Sequence, residues 1–489
     1  MPDLDQLFQA LQSDAYLVPS ADVSVVRALG RRRRLRRTAA SLVAVVLAVG
    51  VVLAGPALWP RATRPPADVS PTEVSFVPLA PIGGEDLTFA TAGSGRPTST
   101  ATAVADGRGY VVWTGDNAAR TVAAIDIETG RRLWGPVTLD PATGWTGIYA
   151  FPQAVIVFNG SAGANNGTVT ILDPATGQTR WQRGLHADDG VAYQSAVVVA
   201  DHSTGLTEAL DWRSGRTLWT TTDPSGSLVT VLGMHTPDDV SAPGPYPMAL
   251  SLDNRLVEVG GDHILRVYDA VTGRLLGSRP ALGNEALAYN GTVFAVRDAT
   301  VTVPNQVVAY NAVGTDAPRI VYQSPHATTR LRSLAPCGPR RICFIEGYGL
   351  NGGADADLVA VDLDTRASVW RIHAGDLDQL TSLGEHVLGR TNDGYVALYG
   401  PDGTTVLVRD GSADVADRID DGSALLLQPA TNGASQTAPD TEVFGVVAST
   451  GKLIALGHIP ISPTSCSWDT RHLLCATGTG FQVWRFAAG

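Results

Sequence analysis

A unit of about 46 residues recurs along most of this 489-residue chain, and its copies share the frame Asp-x-x-Thr/Ser-Gly, followed in several copies by Trp. These observations predict an all-β fold, a β-propeller of four-stranded blades, because such a blade takes about 40–50 residues. We expect eight blades, within a range of seven to nine, preceded by one N-terminal transmembrane helix. An all-β solenoid is the structural alternative, since it also stacks short repeats.

The clearest copies of the repeat are VAAIDIETGRRLW, VTILDPATGQTRW and TEALDWRSGRTLW, which begin at Val122, Val169 and Thr207. Further copies begin at Leu265 and Leu358, and the remaining ones are more degenerate. The positions equivalent to the Asp are 126, 173, 211, 269, 311, 362, 399 and 447.

Each copy can be understood as a strand, a turn and a second strand. The Asp carboxylate is expected to bond nearby backbone amides, while the glycine adopts the left-handed conformation that the turn needs. One copy has Arg366 at the glycine position. The Trp, eight residues after the Asp, is expected to wedge between neighbouring sheets and bury a large area. The residues assigned to turns and docking are Asp126, Gly130, Trp134, Asp173, Gly177, Trp181, Asp211, Gly215, Trp219, Asp269, Gly273, Asp362 and Trp370.

Two departures from the period bear on the architecture. The 58-residue gap before Asp269 contains four prolines between 237 and 247, which indicates an inserted loop at 236–248. The sequence FQVWRF at 481–486 looks like one further strand of the repeat. In a propeller such a strand is expected to join a blade begun by N-terminal strands and so to close the ring.

The charge changes sign along the chain at an uncharged segment. Residues 1–37 hold seven Arg and four Asp, a net +3, with an Arg-rich collar at 31–37, whereas 60–489 hold 29 basic and 43 acidic residues, a net -14. Between them, residues 38–59 are uncharged and mostly apolar, and a helix of that length crosses the hydrocarbon core of a bilayer. Because positive charge stays on the cytoplasmic side, we expect a single-pass protein of the cell membrane with an extracytoplasmic C-terminal domain.

Other interpretations of the N-terminal region stay open. A run of arginines also occurs in nucleic-acid-binding patches, although the acidic outer part makes nucleic acid an unexpected partner. The apolar run is also compatible with a cleaved signal peptide, although it and its leader exceed the usual length. Residues 1–30 include apolar side chains at helical spacing, which favours a short helix on the membrane or a docking helix for a cytosolic partner.

The expected domains follow from these boundaries. Residues 1–37 form a cytoplasmic segment, 38–59 a transmembrane helix, 60–84 an extracytoplasmic linker and 85–489 the propeller. The linker is predicted from its six prolines, which favour an extended, semi-rigid chain.

Four cysteines lie in the outer domain, and an even number in an oxidising compartment suggests disulfides. Three pairings exist, and we expect Cys337–Cys343 and Cys466–Cys475 because each pair flanks a short turn between adjacent strands. A zinc site is the alternative, but the spacing is not C-x-x-C and no histidine pair is nearby. We therefore expect no metal.

The Asp-x-x-Thr-Gly-x-x-x-Trp units resemble the repeats of the pyrroloquinoline-quinone-like, or quinoprotein-like, propeller family over roughly residues 100–486. The resemblance implies a disc of radially arranged, WD40-like antiparallel sheets around a central channel. Enzymes of that family typically use a disulfide between adjacent cysteines, a calcium site and a catalytic Asp. This chain has no adjacent cysteine pair and nothing that aligns with the calcium ligands, so we expect no cofactor and no catalytic residues.

The leading functional hypothesis is a membrane-anchored, non-catalytic binding or scaffolding module for an extracytoplasmic protein, peptide or glycan. Loops on a rigid scaffold carry recognition, so we expect the contact regions at 236–248 and 429–441. One alternative is a transmembrane sensor that signals through residues 1–30. Another is a quinone-dependent oxidoreductase.

Overall fold

Nine sheets form the propeller in the computed structural model, one more than the eight blades that we expect from the sequence. The all-β class and the four-stranded blade are confirmed. The sequence count is one short because it counts the Asp turns, each of which joins the third and fourth strands of a blade. The ninth blade takes its fourth strand from the N-terminal end of the propeller, so it has no such turn.

The structure describes residues 73–488 apart from a set of gaps. No helix in this part of the chain is long and apolar enough to span a membrane. The expected cytoplasmic segment 1–37 and membrane span 38–59 lie outside the described residues. The gaps are 84–98, 116–117, 142–144, 162–163, 187–188, 237–239, 243–247, 282, 284, 301–302, 315, 327–328, 349–354, 392–393, 410–414, 430–439, 462 and 478–479.

The first strand in the chain belongs to the last blade, and blades 1 to 3 follow it. The first strand is β1 (Phe76–Pro81). Blade 1 comprises β2 (Ser99–Ala105), β3 (Arg108–Thr114), β4 (Arg120–Asp126) and β5 (Arg132–Leu139). Blade 2 comprises β6 (Trp145–Phe151), β7 (Ala154–Ser161), β8 (Ala164–Leu172) and β9 (Thr179–His186). Blade 3 comprises β10 (Asp189–Tyr193), β11 (Ala196–Asp201), β12 (Leu206–Asp211) and β13 (Thr217–Thr222).

Blade 4 carries an inserted hairpin, and blades 5 and 6 are regular. Blade 4 begins with β14 (Leu228–Gly233), the hairpin is β15 (Val240–Ala242) and β16 (Met248–Ser251), and the blade continues with β17 (Arg255–Gly260), β18 (Ile264–Asp269) and β19 (Leu275–Pro280). Blade 5 comprises β20 (Ala286–Tyr289), β21 (Thr292–Arg297), β22 (Gln306–Asn311) and β23 (Arg319–Gln323). Blade 6 comprises β24 (Thr329–Pro336), β25 (Arg341–Tyr348), β26 (Ala356–Asp362) and β27 (Ser368–Gly375).

The last three blades complete the ring. Blade 7 comprises β28 (Leu377–Leu383), β29 (His386–Thr391), β30 (Val396–Tyr399) and β31 (Thr405–Arg409). Blade 8 comprises β32 (Val415–Asp420), β33 (Ser423–Pro429), β34 (Thr441–Val447) and β35 (Lys452–Ile459), with a 3-10 turn at Ala448–Thr450. Blade 9 comprises β36 (Cys466–Trp468), β37 (His472–Ala476) and β38 (Phe481–Ala487), to which β1 adds the outer strand; a second 3-10 turn, Pro463–Ser465, precedes it.

Nine hydrophobic clusters hold the sheets together, each between two consecutive blades. Between blade 9 and blade 1, for example, Leu474 and Val483 pack with Val111 and Ile125. The first strands of neighbouring blades lie side by side, so they form the inner wall of the ring, and the fourth strands form its circumference. Burial of apolar area between the blades is therefore the main force that closes the ring.

The middle strands are apolar on both faces because each blade is covered by a neighbour on both sides. In β25, RICFIEGY, six consecutive residues are buried, whereas exposed residues recur along the outer strand β13, TLWTTT. Alternation of exposed and partly buried residues is therefore found in an outer strand such as β13.

The two faces of the ring differ in how the strands are connected. One face, which we call the short-turn face, holds the Asp turns and two-residue turns such as 106–107 and 421–422. The opposite face, which we call the long-loop face, holds the connections from β1 to β2, from β21 to β22 and from β33 to β34, each of eight residues or more. The 234–254 connection from β14 to β17, which contains the hairpin β15–β16, is a long connection on the short-turn face.

The strand β1 lies inside the range 60–84 that the prolines lead us to expect as linker, so that boundary is wrong. Its residues Phe76 and Pro81 pair with Ala487 and Trp484 of β38. Proline suits this position because the outermost strand of a sheet has a free edge, where a missing N–H breaks no ladder bond.

A tryptophan of one blade docks on the Asp turn of the next blade. The Trp134 Nε1 donates to the Pro174 carbonyl at 3.0 Å. A Cβ on Gly177 would lie 2.4 Å from the same indole ring, so only glycine leaves room for it. Gly177 also has φ +72°, which favours glycine. The same contact recurs for Trp181 with Gly215, Trp219 with Gly273, and Trp370 with Gly403.

The docking contact explains the exception at Arg366. Blade 5, which precedes the blade of Arg366, has Arg319 at the outer-strand position where other blades have the docking tryptophan. Arg319 pairs with Ala309. No indole ring therefore has to fit over the next turn, and the steric demand for glycine is absent. The backbone demand remains, since Arg366 has φ +58°.

We expect Gly177→Ala to lower the free energy of unfolding by about 2–4 kcal/mol, because its methyl group overlaps the Trp134 ring in addition to straining the backbone. Gly226→Ala is the matched control: this glycine has a similar φ of +74°, but a methyl group there would have no neighbour within 4 Å. Urea midpoints of the purified variants provide the measurement. Equal losses in the two variants would contradict the docking account.

We expect Arg366→Gly to raise the free energy of unfolding by about 1 kcal/mol, because glycine adopts the left-handed region without the cost that other residues incur. The same urea titration measures the change. A lower midpoint would show that the Arg366 side chain contributes more than its backbone costs.

Candidate functional site

The Asp turns are closed on themselves and offer no site. Asp173 Oδ1 accepts hydrogen bonds from the amide and the hydroxyl of Thr176, at 3.0 and 3.1 Å, and Arg180 pairs with Oδ2 at 2.8 Å. The hydrogen bond from Arg180 is the main reason that the pKa of Asp173 is lowered. In the other turns Asp126, Asp211, Asp269 and Asp362 bond Thr129, Ser214, Thr272 and Thr365 in the same way. These carboxylates shape their turns.

The two expected disulfides are present and are structural. Cys337–Cys343 links the end of β24 to β25, and Cys466–Cys475 links β36 to β37. All four cysteines are buried. Each bridge therefore joins the first two strands of one blade, as the short turns between the cysteines predict.

A buried ionic cluster joins blades 5 and 6. The Glu346 carboxylate is fully buried and accepts hydrogen bonds from Tyr322 at 2.6 Å and from Ser324. Arg371 pairs with Glu346 at 2.6 Å and with Asp357 at 2.9 Å. Both oxygens of Glu346 have partners, so this cluster is a structural element between sheets.

A second buried acid, Glu258 of β17, lies between blades 3 and 4 and is less well partnered. Its Oε2 accepts from Thr207 at 3.1 Å, and its Oε1 has no partner among the described residues. Burial raises the pKa of Glu258 to about 7. Among the described residues, the cation that acts on Glu258 is Arg266, which already pairs with Asp223 and Asp262. Glu258 therefore holds a proton readily, but it lies inside a packed interface that no substrate reaches.

Sequence reasoning missed both buried acids, although a signal existed. Glu258 interrupts the apolar run RLVEVG, and Glu346 interrupts RICFIEGY. A charged residue in the middle of a strand buried on both faces needs a partner or a proton. Among the described residues, no group of histidine, cysteine and acidic side chains is arranged to hold a metal.

The inserted segment expected as a surface loop at 236–248 contains a hairpin that extends blade 3 inward. Strand β16 pairs in parallel with β10, the innermost strand of blade 3. Strand β15 pairs with β16 and lies against β2 and β6. The hairpin thus fills part of the centre of the ring, beside blades 1 to 3. The other expected contact region, 429–441, joins β33 to β34 on the long-loop face, and 430–439 lie outside the described residues.

Charged side chains gather across the ring from the hairpin, where the inner strands β20, β24 and β28 begin at the long-loop face. We call Glu285, Arg330, Arg332 and Asp378 the mouth cluster. Arg332 donates from Nη2 to the Leu377 carbonyl at 2.7 Å, and its Nε has no partner among the described residues. Arg330 is exposed. Burial raises the pKa of Glu285, while both arginines act to lower it. The cluster offers groups of both signs to a ligand at this face.

The buried acid gives a pH-dependent stability. The pKa of Glu258 in the folded state, about 7, is above its ordinary value of 4.5. Below pH 4.5 the side chain is neutral in both the folded and the unfolded protein. As the pH rises from 4.5 through 7, the unfolded protein loses this proton more readily than the folded one, so the free energy of unfolding falls by about 3 kcal/mol in total. We expect Glu258→Gln to gain that amount relative to the unchanged protein between pH 4.5 and 8, measured by urea unfolding. The exposed Glu385→Gln is the control, and parallel profiles of Glu258→Gln and the unchanged protein would contradict the assignment.

Solved structures with a similar architecture share little sequence with this chain. BamB from Moraxella catarrhalis is 15% identical, over 83% of this chain and 100% of that one, with a TM-score of 0.43. The computationally designed protein Ika8 is 14% identical, over 69% and 95%, with a TM-score of 0.44. A quinohemoprotein alcohol dehydrogenase from Pseudomonas putida is 14% identical, over 67% and 62%, with a TM-score of 0.33. No curated protein matches the chain.

A family model provides the clearer assignment. The model described as outer membrane protein assembly factor BamB matches residues 87–260, which span blades 1 to 3 and the first strands of blade 4. The matched part contains the three clearest copies of the repeat, with Trp134, Trp181 and Trp219. Over residues 87–260, about a third of the chain, the repeats thus match a model of the pyrroloquinoline-quinone-like β-propeller family.

Proposed function

We propose that this chain is a membrane-anchored, non-catalytic binding module whose long-loop face holds an extracytoplasmic protein partner. The observation that carries the proposal is the difference between the two faces. Apart from the 234–254 insertion in blade 4, the short-turn face repeats similar short turns from blade to blade, whereas connections on the long-loop face range from one residue, 376, to eight residues or more, as at 298–305. Variable loops on a rigid scaffold are the usual place of recognition.

The mouth cluster supplies the chemistry of that contact. Arg330 is exposed, so a carboxylate of a partner can pair with it, while the Arg332 guanidinium is held by the Leu377 carbonyl. Glu285 and Asp378 lie beside them and favour a partner segment that carries both signs of charge. A protein satisfies this pattern of neighbouring opposite charges more readily than an unbranched neutral glycan does.

The non-catalytic part of the proposal is supported by where the unusual acids lie. Glu258 and Glu346 are buried between blades, away from either face. The Asp carboxylates of the turns are bonded to their own backbone, so they are not free to act on a substrate.

The membrane anchor in the proposal rests on the sequence. The collar at 31–37 and the uncharged residues 38–59 specify one span with the propeller outside. The sensor hypothesis depends on residues 1–30, which lie outside the described residues.

We expect a photo-crosslinking amino acid at Arg330 to form an adduct with a protein partner in cells that produce the full chain. The same amino acid at Arg274, an exposed arginine on the short-turn face, should give no such adduct. Denaturing electrophoresis followed by mass spectrometry identifies the adduct.

A second variant tests whether charge contributes. Arg330→Glu should weaken capture of the partner identified in this way, while Arg274→Glu should leave it unchanged. A protein adduct at Arg274 with none at Arg330 would overturn the assignment of the binding face.

A further inference from the structure

The connections on the long-loop face carry charge of one sign. They join the second strand of a blade to the third, or the fourth strand to the next blade. Their described residues include eight carboxylates and neither arginine nor lysine. The eight are Asp140, Asp223, Asp262, Glu285, Asp298, Asp355, Asp376 and Asp440.

The connections on the short-turn face carry both signs. Counted over the same described part of the chain, they hold ten acidic residues and seven arginines. The acidic residues are Asp106, Glu128, Asp173, Asp253, Asp316, Asp364, Glu385, Asp402, Asp421 and Asp469, and the arginines are Arg131, Arg213, Arg216, Arg274, Arg340, Arg366 and Arg471. Residues 60–489 as a whole hold 43 acidic and 29 basic residues. The lack of cations is thus a property of the long-loop connections and does not follow from the average composition.

Most of the long-loop carboxylates are exposed, and several lie in the blades of the mouth cluster. Asp223 is buried, and Glu285, a member of the mouth cluster, is partly buried; the other six are exposed. The mouth cluster lies at β20, β24 and β28, the inner strands of blades 5 to 7. Four of the six exposed carboxylates lie in blades 4 to 6 or in the connection to blade 7, and we call them the acidic rim: Asp262, Asp298, Asp355 and Asp376.

The protein itself neutralises the acidic rim only in part. Asp262 pairs with Arg266, but the same guanidinium also pairs with the buried Asp223, so two carboxylates share one cation. Asp355 Oδ1 lies 3.4 Å from His373 Nδ1, and a histidine is positive only when it is protonated. The rim therefore keeps a net negative charge that a partner can meet.

We propose that the partner of the long-loop face presents a basic surface, in which arginine and lysine side chains face the acidic rim and one carboxylate faces Arg330. The inference rests on the binding role in the proposed function and adds the charge of the partner. Opposite potentials steer two surfaces together and fix their orientation, so this charge acts mainly on the association rate. The same carboxylates repel nucleic acids and other polyanions.

The arrangement of the carboxylates favours a protein surface over a small cation. A divalent ion is bound by several oxygens at once, and among the described residues no group of acidic, histidine and cysteine side chains is arranged to hold one. The members of the acidic rim belong instead to separate connections of consecutive blades. A basic protein can place a different side chain against each of them.

The test neutralises carboxylates of the acidic rim and compares them with carboxylates of the other face, in the full chain purified in detergent. The rim variant combines D298N, D355N and D376N. The matched control combines D106N, D316N and E385Q, which removes the same charge from the short-turn face. All six side chains are exposed, and substitutions at such positions change stability little.

The partner is the protein identified by crosslinking at Arg330, and its association rate is measured by stopped-flow fluorescence at low and at high NaCl concentration. We expect the rim variant to associate several-fold more slowly than the unchanged chain at low salt, and its rate to depend less on salt, because screening acts on the charges that it lacks. The control should behave as the unchanged chain does. Equal slowing in both variants, or faster association of the rim variant, would overturn the inference.

A lysine peptide separates this inference from the proposed function. Fluorescent decalysine is titrated with each variant and its anisotropy is recorded. A protein adduct at Arg330 with association rates that the rim variant leaves unchanged refutes the basic partner and leaves the binding role intact. If no adduct forms, the binding role itself fails. Weaker binding of decalysine to the rim variant than to the control then supports the charge preference of the face, and equal binding refutes it.

Discussion

The pairing of β1 with β38 is the contact on which the rest of the molecule depends. Without the outer strand from Phe76–Pro81, the ninth blade has three strands, and β38 presents a long unpaired edge. Blade 9 contributes to two of the nine apolar interfaces, those with blades 8 and 1. Since each blade is covered by its neighbours, exposure of one blade removes burial from both sides of the gap. The contact that joins the two ends of the propeller therefore stabilises every blade indirectly.

The same contact fixes where the described chain enters the ring. β1 begins at the short-turn face, because its first residue Phe76 pairs with Ala487 at the end of β38. The hairpin β15–β16 is inserted between strands that are joined at this face, and β16 pairs with β10 inside the ring. The mouth cluster lies at the opposite, long-loop face.

The repeat frame predicted the local structure well and the candidate site poorly. Asp173, Thr176 and Gly177 are neighbours in sequence, so the turn that they form follows from short-range hydrogen bonds and backbone preference. The disulfide pairs flank short turns for the same reason. The mouth cluster, in contrast, brings together residues from three blades, and no local pattern records their proximity. Glu258 depends likewise on Thr207 of another blade.

By itself the sequence determined the all-β class, the four-stranded unit, the turns, the disulfide pairs and the tryptophans that recur with the Asp turns. These follow from interactions within one repeat or between consecutive repeats, which the period makes visible. Only the tertiary structure decided that the ring has nine blades, that FVPLAP is a strand of the last one, and that the insertion turns inward. Each of these depends on pairing between segments far apart in the chain. A strand pairs with the sheet edge that is still unpaired when the ring closes, and that edge is known only from the tertiary structure.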